Sequence, residues 1–115
     1  MNKKEYHFSF DEYASIDDLN SRDADLLKAA RAMTNNAYAP YSKFFVGAVA
    51  QLSNGKQIAG TNQENASYPV GLCAERALLA AAATQYPGIP IESMAISYRN
   101  TKKVGHYPLS PCGMC

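Results

Sequence analysis

The chain has no tryptophan, only two histidines, and no apolar run longer than the seven residues from Ala77 to Ala83. A membrane-spanning helix needs about 20 apolar residues, so none is expected. The opening residues, Met1-Asn2-Lys3-Lys4-Glu5-Tyr6-His7, lack the apolar core of a secretory signal. Neither acids nor bases are in marked excess. The net charge is +1, with acids and bases mixed along the chain, which leaves no electrostatic footprint for nucleic acid. The basic pairs Lys3-Lys4 and Lys102-Lys103 read as solvated loop charges. There is no repeat and no low-complexity segment. Three cysteines, an odd number without a secretory signal, fit a reducing compartment in which disulfides are disfavoured. These absences predict a soluble, cytoplasmic protein whose partner is a small neutral molecule, with neither nucleic acid nor membrane involved.

At 115 residues the chain can bury one core, so residues 1–115 are expected to form one domain, with residues 1–20 as a polar arm. Tyr6, Phe8 and Phe10 alternate within that arm, as an edge strand or a mobile segment would. Leu26, Leu27, Ala30, Met33 and Ala37 recur at helical spacing, which predicts an amphipathic helix over Ser21 to Asn35, capped by Asn20 or Ser21. Tyr38-Ala39-Pro40-Tyr41-Ser42-Lys43-Phe44 reads as an ordered loop entering a strand. Ser53-Asn54-Gly55 then separates Phe45 to Leu52 from Lys56 to Thr61, the pattern of a hairpin. From Cys73 to Tyr86 alanine and leucine dominate on all sides, which predicts a helix buried between other elements. A strand from Ile91 to Tyr98 suggests a crossover onto the same sheet. A polar loop from Arg99 to Leu109 follows, and Pro111 suits the first turn of another helix.

The three cysteines fall in two clusters, Cys73-Ala74-Glu75-Arg76 and Pro111-Cys112-Gly113-Met114-Cys115. Zinc is tetrahedral, so a structural site wants four protein ligands, whereas three ligands leave a corner for water. No fourth cysteine exists, His7 lies far off in sequence, and His106, beside Gly105 and Pro108, looks like a solvated loop residue. Cys73, Cys112 and Cys115 therefore describe a catalytic zinc site better than a structural one, and a hydrolytic enzyme is the leading reading. Each cluster would open a helix, where the partial positive charge of the helix end suits anionic sulfur. Three thiolates on one dication leave about −1, which opposes ionisation of a bound water. Arg76 can offset this by donating to two sulfurs; otherwise it is a solvated helix residue. Glu75 can face the open coordination position and carry a proton from water to a substrate nitrogen, or else be a first-turn acid favoured by the helix end.

Together with Asn62-Gln63-Glu64-Asn65-Ala66-Ser67-Tyr68 and the Tyr38 to Phe44 block, these motifs resemble the free-nucleoside cytidine deaminases of the three-cysteine zinc type, over about Asn35 to Cys115. The resemblance implies a three-layer α/β/α sandwich around a mixed sheet, and hydrolytic deamination of cytidine or deoxycytidine to the uridine form plus ammonia, as in pyrimidine salvage. It implies that Cys73, Cys112 and Cys115 bind Zn²⁺, that Glu75 is the proton shuttle and that Arg76 partners the sulfurs. Asn62 and Glu64 match positions that hydrogen-bond the ribose, and Phe44 matches an aromatic that packs on the pyrimidine. The Ala74 amide and carbonyl and the Cys112 amide would read the base. Tyr68 matches a residue near a subunit contact, and a homotetramer is the implied assembly.

Such relatives continue past the last cysteine with two more strands and a C-terminal segment. The sequence is accordingly expected to be a shortened form, weak in zinc binding and turnover by itself, with an exposed sheet edge. The arm and the loop from Arg99 to Leu109 are longer than the resemblance requires. Two rivals share part of the pattern. A blasticidin-S-type deaminase has both cysteine motifs but does not need the ribose-matching block, and a non-catalytic zinc module would not need Glu75. A nucleic-acid deaminase is disfavoured by Cys73, where that class usually carries histidine, and by the absence of a basic groove.

Overall fold

Asn20 opens the first helix: its Oδ1 accepts the Asp23 amide at 2.8 Å, satisfying one of the unpaired donors at the helix start. The computed structural model describes residues 1–100 and Leu109. Helix α1 runs Ser21–Met33 and ends two residues earlier than the periodicity predicts. Thr34 is buried and its hydroxyl donates to the Arg31 carbonyl at 2.7 Å, so Thr34–Asn36 tightens into a 3-10 turn.

Strands β1 (Phe45–Leu52) and β2 (Gln57–Thr61) pair antiparallel through the expected Asn54-Gly55 turn, where Gly55 has φ +85°. Helix α2 (Ala74–Gln85) then leads to β3 (Ile91–Arg99), which pairs antiparallel with the other edge of β1. The sheet order is β2-β1-β3, so β2 and β3 run in the same direction with β1 between them, joined by α2 as the crossover. Parallel pairing among the described residues is confined to the Tyr38 bridge to Gln63.

Alternation along β1 splits the core into two layers. Val46, Ala48 and Ala50 point to one face and pack with Ile58 against Ala74, Leu78 and Ala82, a stripe of α2 at four-residue spacing. Val49 points to the other face and packs against Leu26 and Ala30 of α1. The helices therefore cover opposite faces, which is the three-layer α/β/α architecture expected of this chain.

One expectation is corrected here, and of the two readings of the arm the edge strand is not seen. Helix α2 is not buried on all sides, because only Ala74, Glu75, Leu78 and Ala82 are buried, while Arg76, Leu79, Ala80 and Ala83 are exposed. Its alanines hide which face is outer. The residue-1–20 arm contains no strand: only the 3-10 turn Ile16–Asp18 is regular, and Tyr6, Phe8 and Phe10 are exposed. Strand β3 also continues one residue beyond Tyr98. No helix among the described residues is long and apolar enough to cross a membrane.

Candidate active site

The start of α2 is fixed by a glycine. A β-carbon at Gly60 of β2 would collide with the Ala74 carbonyl oxygen and come within 2.5 Å of the Leu78 nitrogen, so only glycine lets the helix sit this close. Ala74 is consequently fully buried, and Cys73 occupies the N-cap with extended backbone, its carbonyl accepting the Ala77 amide at 3.0 Å. No side chain caps this helix end. Glu75 follows in the first turn with 8% of its surface exposed, beside the positive end of the helix. Arg76, one residue on, is exposed.

Three backbone segments converge on this helix start. Gln63 and Leu72 exchange two hydrogen bonds of 2.9 Å, holding the chain immediately before Cys73 against the end of β2. Tyr38 donates to the Asn62 carbonyl at 3.0 Å and accepts from the Glu64 amide at 2.8 Å, which places the Tyr38 to Phe44 loop on the other side of the same segment. The Asn62 side chain bridges the end of that loop, donating to the Phe44 carbonyl and accepting from the Val46 amide, both at 2.8 Å. One Glu64 oxygen accepts the Tyr41 and Ser42 amides at 3.0 and 3.1 Å.

These contacts set the site's electrostatics. The Ser42 side chain, helped by the Ser42 and Tyr41 amides and by the Lys43 charge, holds the Glu64 carboxyl below its ordinary range against a smaller opposing effect of burial. Lys43 itself lies at φ +58°, a left-handed conformation costly for a non-glycine residue. The turn held by Glu64 thereby delivers Phe44, whose ring lies 5.0 Å from that of Tyr98 and packs at the margin of the α2-side core. Tyr98, Gly60 and Leu72 lie in this neighbourhood and belong to none of the sequence motifs. A glycine inside an apolar strand is the one local signal that pointed to Gly60.

Of the residues expected from sequence, the fold brings Phe44, Asn62, Glu64, Cys73, Ala74 and Glu75 to the loops around one end of the sheet and the start of α2. Tyr68 stands apart in the 3-10 turn Tyr68–Val70, 90% exposed. Cys112, Cys115, His106 and the helix expected at Pro111 lie outside the described residues. Leu109, three residues before Cys112, packs against the α2-side core.

The model of the cytidine and deoxycytidylate deaminase zinc-binding region matches residues 20–115. The chain belongs to this family. It is 42% identical to a cytidine deaminase of Mycoplasma pneumoniae over 83 residues, which are 72% of this chain and 59% of that protein. A cytidine deaminase of Halalkalibacterium halodurans is 38% identical over 78% of this chain and 64% of its own. The chain thus spans about three fifths of these curated relatives. Among solved structures, cytidine deaminase from Burkholderia pseudomallei superimposes with a TM-score of 0.68 at 43% identity, covering 79% of this chain and 68% of that one. The Mycobacterium tuberculosis enzyme gives 0.68 at 35% identity, over 85% and 73%. These superpositions agree with the α/β fold derived above.

The family's zinc can be weighed against the residues in place. Among the described residues no group of three or more histidines, cysteines or acids is disposed to hold a metal, and two of the three expected ligands lie outside them. Cys73 does fit: it is half-buried at a helix start with no capping side chain, and a buried acid stands two residues away. A soft sulfur donor at the positive end of a helix is a donor that zinc accepts.

Proposed function

We propose that the protein deaminates cytidine or deoxycytidine hydrolytically, with residues 1–115 forming one deaminase-like unit. The observation that carries this reading is Glu75, a buried acid in the first turn of α2, two residues from Cys73, on a helix start that Gly60 holds against the sheet. Held by Cys73, Cys112 and Cys115, zinc would supply the Lewis acidity that makes water a nucleophile near neutral pH.

Glu75 takes a proton from the attacking water and delivers it to ring N3 as the hydroxyl adds to C4; it then carries the C4 hydroxyl proton to the amino nitrogen, the C4–N bond breaks, and ammonia leaves with the C4 carbonyl of uridine formed. Phe44 packs on the pyrimidine. The Ala74 amide and carbonyl, with the Cys112 amide, read the base edge. Glu64 and Asn62 hold the ribose. Both Asn62 atoms already serve the backbone, but the amide nitrogen keeps a second proton and the oxygen a second lone pair for a sugar hydroxyl. Arg76 would turn its guanidinium to the thiolates. Exposed Tyr68 suits a subunit contact in a homotetramer, and a cytoplasmic nucleoside substrate agrees with the charge balance.

The test is the ultraviolet change when zinc-loaded full-length protein meets cytidine. Glu75→Gln should lower turnover by about 10²- to 10⁴-fold while zinc per chain stays the same. Unchanged turnover in that variant would refute the assigned role.

A further inference from the structure

The arm that precedes the family match carries aromatic residues with nothing to bury them. Tyr6, Phe8 and Phe10 are 92%, 88% and 75% exposed, and they alternate with His7 and Ser9, the two-residue period of a strand with one apolar face.

A matching surface lies at the outer edge of β2. The Leu52 amide bonds the Lys56 carbonyl and the Asn62 amide bonds the Val46 carbonyl, so the even-numbered residues of β2 pair with β1. The N–H and C=O groups of Gln57 and Ala59 then point outward, and no described strand pairs with them. Beside this edge, on the α1 face, lies an apolar groove of about 300 Å³ lined by Ala29, Ala32, Met33, Val49 and Ala59. An apolar cavity of about 150 Å³ is enough to take up benzene. Lys56 precedes the edge, and Lys28 stands one turn before Ala32 on α1, while Asp11 and Glu12 follow the aromatic stretch.

We propose that residues 6–10 of a second copy of this chain add as a strand to the outer edge of β2 and lay Tyr6, Phe8 and Phe10 along the groove. Strand addition satisfies the outward groups of Gln57 and Ala59, the groove receives the rings, and the acids after Phe10 meet Lys28 or Lys56. Among the described residues each copy's own arm leaves its rings in solvent and does not cover its own groove, and the acids after Phe10 complement the lysines flanking that groove, so the occupant is a second copy. Exchange of identical arms is reciprocal, so two copies close with two-fold symmetry. This contact is independent of the proposed deamination.

The experiment places a photoreactive benzoyl-phenylalanine at position 8 of full-length protein and mixes it with an equal amount of uniformly ¹⁵N-labelled native protein. Irradiation should join light arm peptides to heavy peptides containing residues 29–33 or 57–59. Adducts found only within light chains, or only elsewhere on the surface, would overturn the proposal. In parallel, Tyr6→Ser with Phe10→Ser should lower the yield of these light-to-heavy adducts at least tenfold, with an unchanged far-ultraviolet circular dichroism spectrum. Ala59→Arg, at the groove instead of the arm, should do the same, and an unaltered adduct yield in both variants would also overturn the proposal.

Discussion

On one face of the sheet Gly47 lets β1 approach α1, and a β-carbon there would collide with the Ala30 carbonyl; on the other, Gly60 lets β2 approach α2 at Ala74. Ala30 lies in the interior of α1, and nothing expected of the chemistry borders it. Ala74 is the first residue of α2, directly between Cys73 and Glu75. The same close approach therefore fixes bulk packing on one face and the orientation of a thiol and an acid on the other. A small residue in a strand can act on the site without touching it.

Substitution separates the two faces. Gly60→Ala and Gly47→Ala should each destabilise by about 1–3 kcal/mol or more, because backbone has to move. Only Gly60→Ala should also reduce turnover per folded molecule, by about 100-fold, the effect expected of a displacement near 1 Å at the reacting groups. Urea denaturation alongside an assay corrected for folded fraction tests this, and equal turnover losses for the two variants would break the comparison. Asn62→Ala removes two bonds to the Phe44 and Val46 backbone and should cost about 1–3 kcal/mol, with a raised KM as Phe44 loses its anchor. On the α1 side, Asn20→Ala deletes the helix cap, worth about 1 kcal/mol, and should leave turnover per folded molecule unaltered.

The smallest effect concerns pH. The Glu64 carboxyl is held below its ordinary value of 4.5, so its contribution to stability is present above that value and is lost as pH falls through the lower folded-state value. Stability curves of the native protein and Glu64→Gln should differ at neutral pH and converge in acid. A gap that persists at the acid end would assign the difference to something other than the carboxylate's charge.

Much of this was legible in the sequence, and the reasons are local. Asn54-Gly55 marks a hairpin by its backbone chemistry, and Asn20 with Asp23 marks a helix start. Cys73 and Glu75 could be paired because two residues at a helix start share one end whatever the rest of the fold does. Helix α2 departs from the expectation because the run from Ala77 to Ala83 has no polar residue to mark its outer face, and the buried stripe of Ala74, Leu78 and Ala82 is built largely from the same alanine that lies outside. The stitching around the site was hidden for a different reason. Gln63 meets Leu72 through backbone groups that every residue carries, and Glu64 reaches Tyr41 and Ser42 across more than twenty residues. Side-chain identity does not encode the first, and spacing does not reveal the second.

The reciprocal bonds between Gln63 and Leu72 close the base of the segment from residue 64 to residue 71, and from Asn65 to Val70 that segment is exposed. Whatever is fitted between Ala66 and Tyr68 hangs from a clasp that already holds the chain on either side of it. Lengthening a surface loop is cheap in entropy, about 0.6 kcal/mol for each doubling, and the clasp keeps the added length from tugging on Cys73. This stretch is thus a cassette, where an inserted epitope or recognition loop can be exchanged while helix α2 stays where it is.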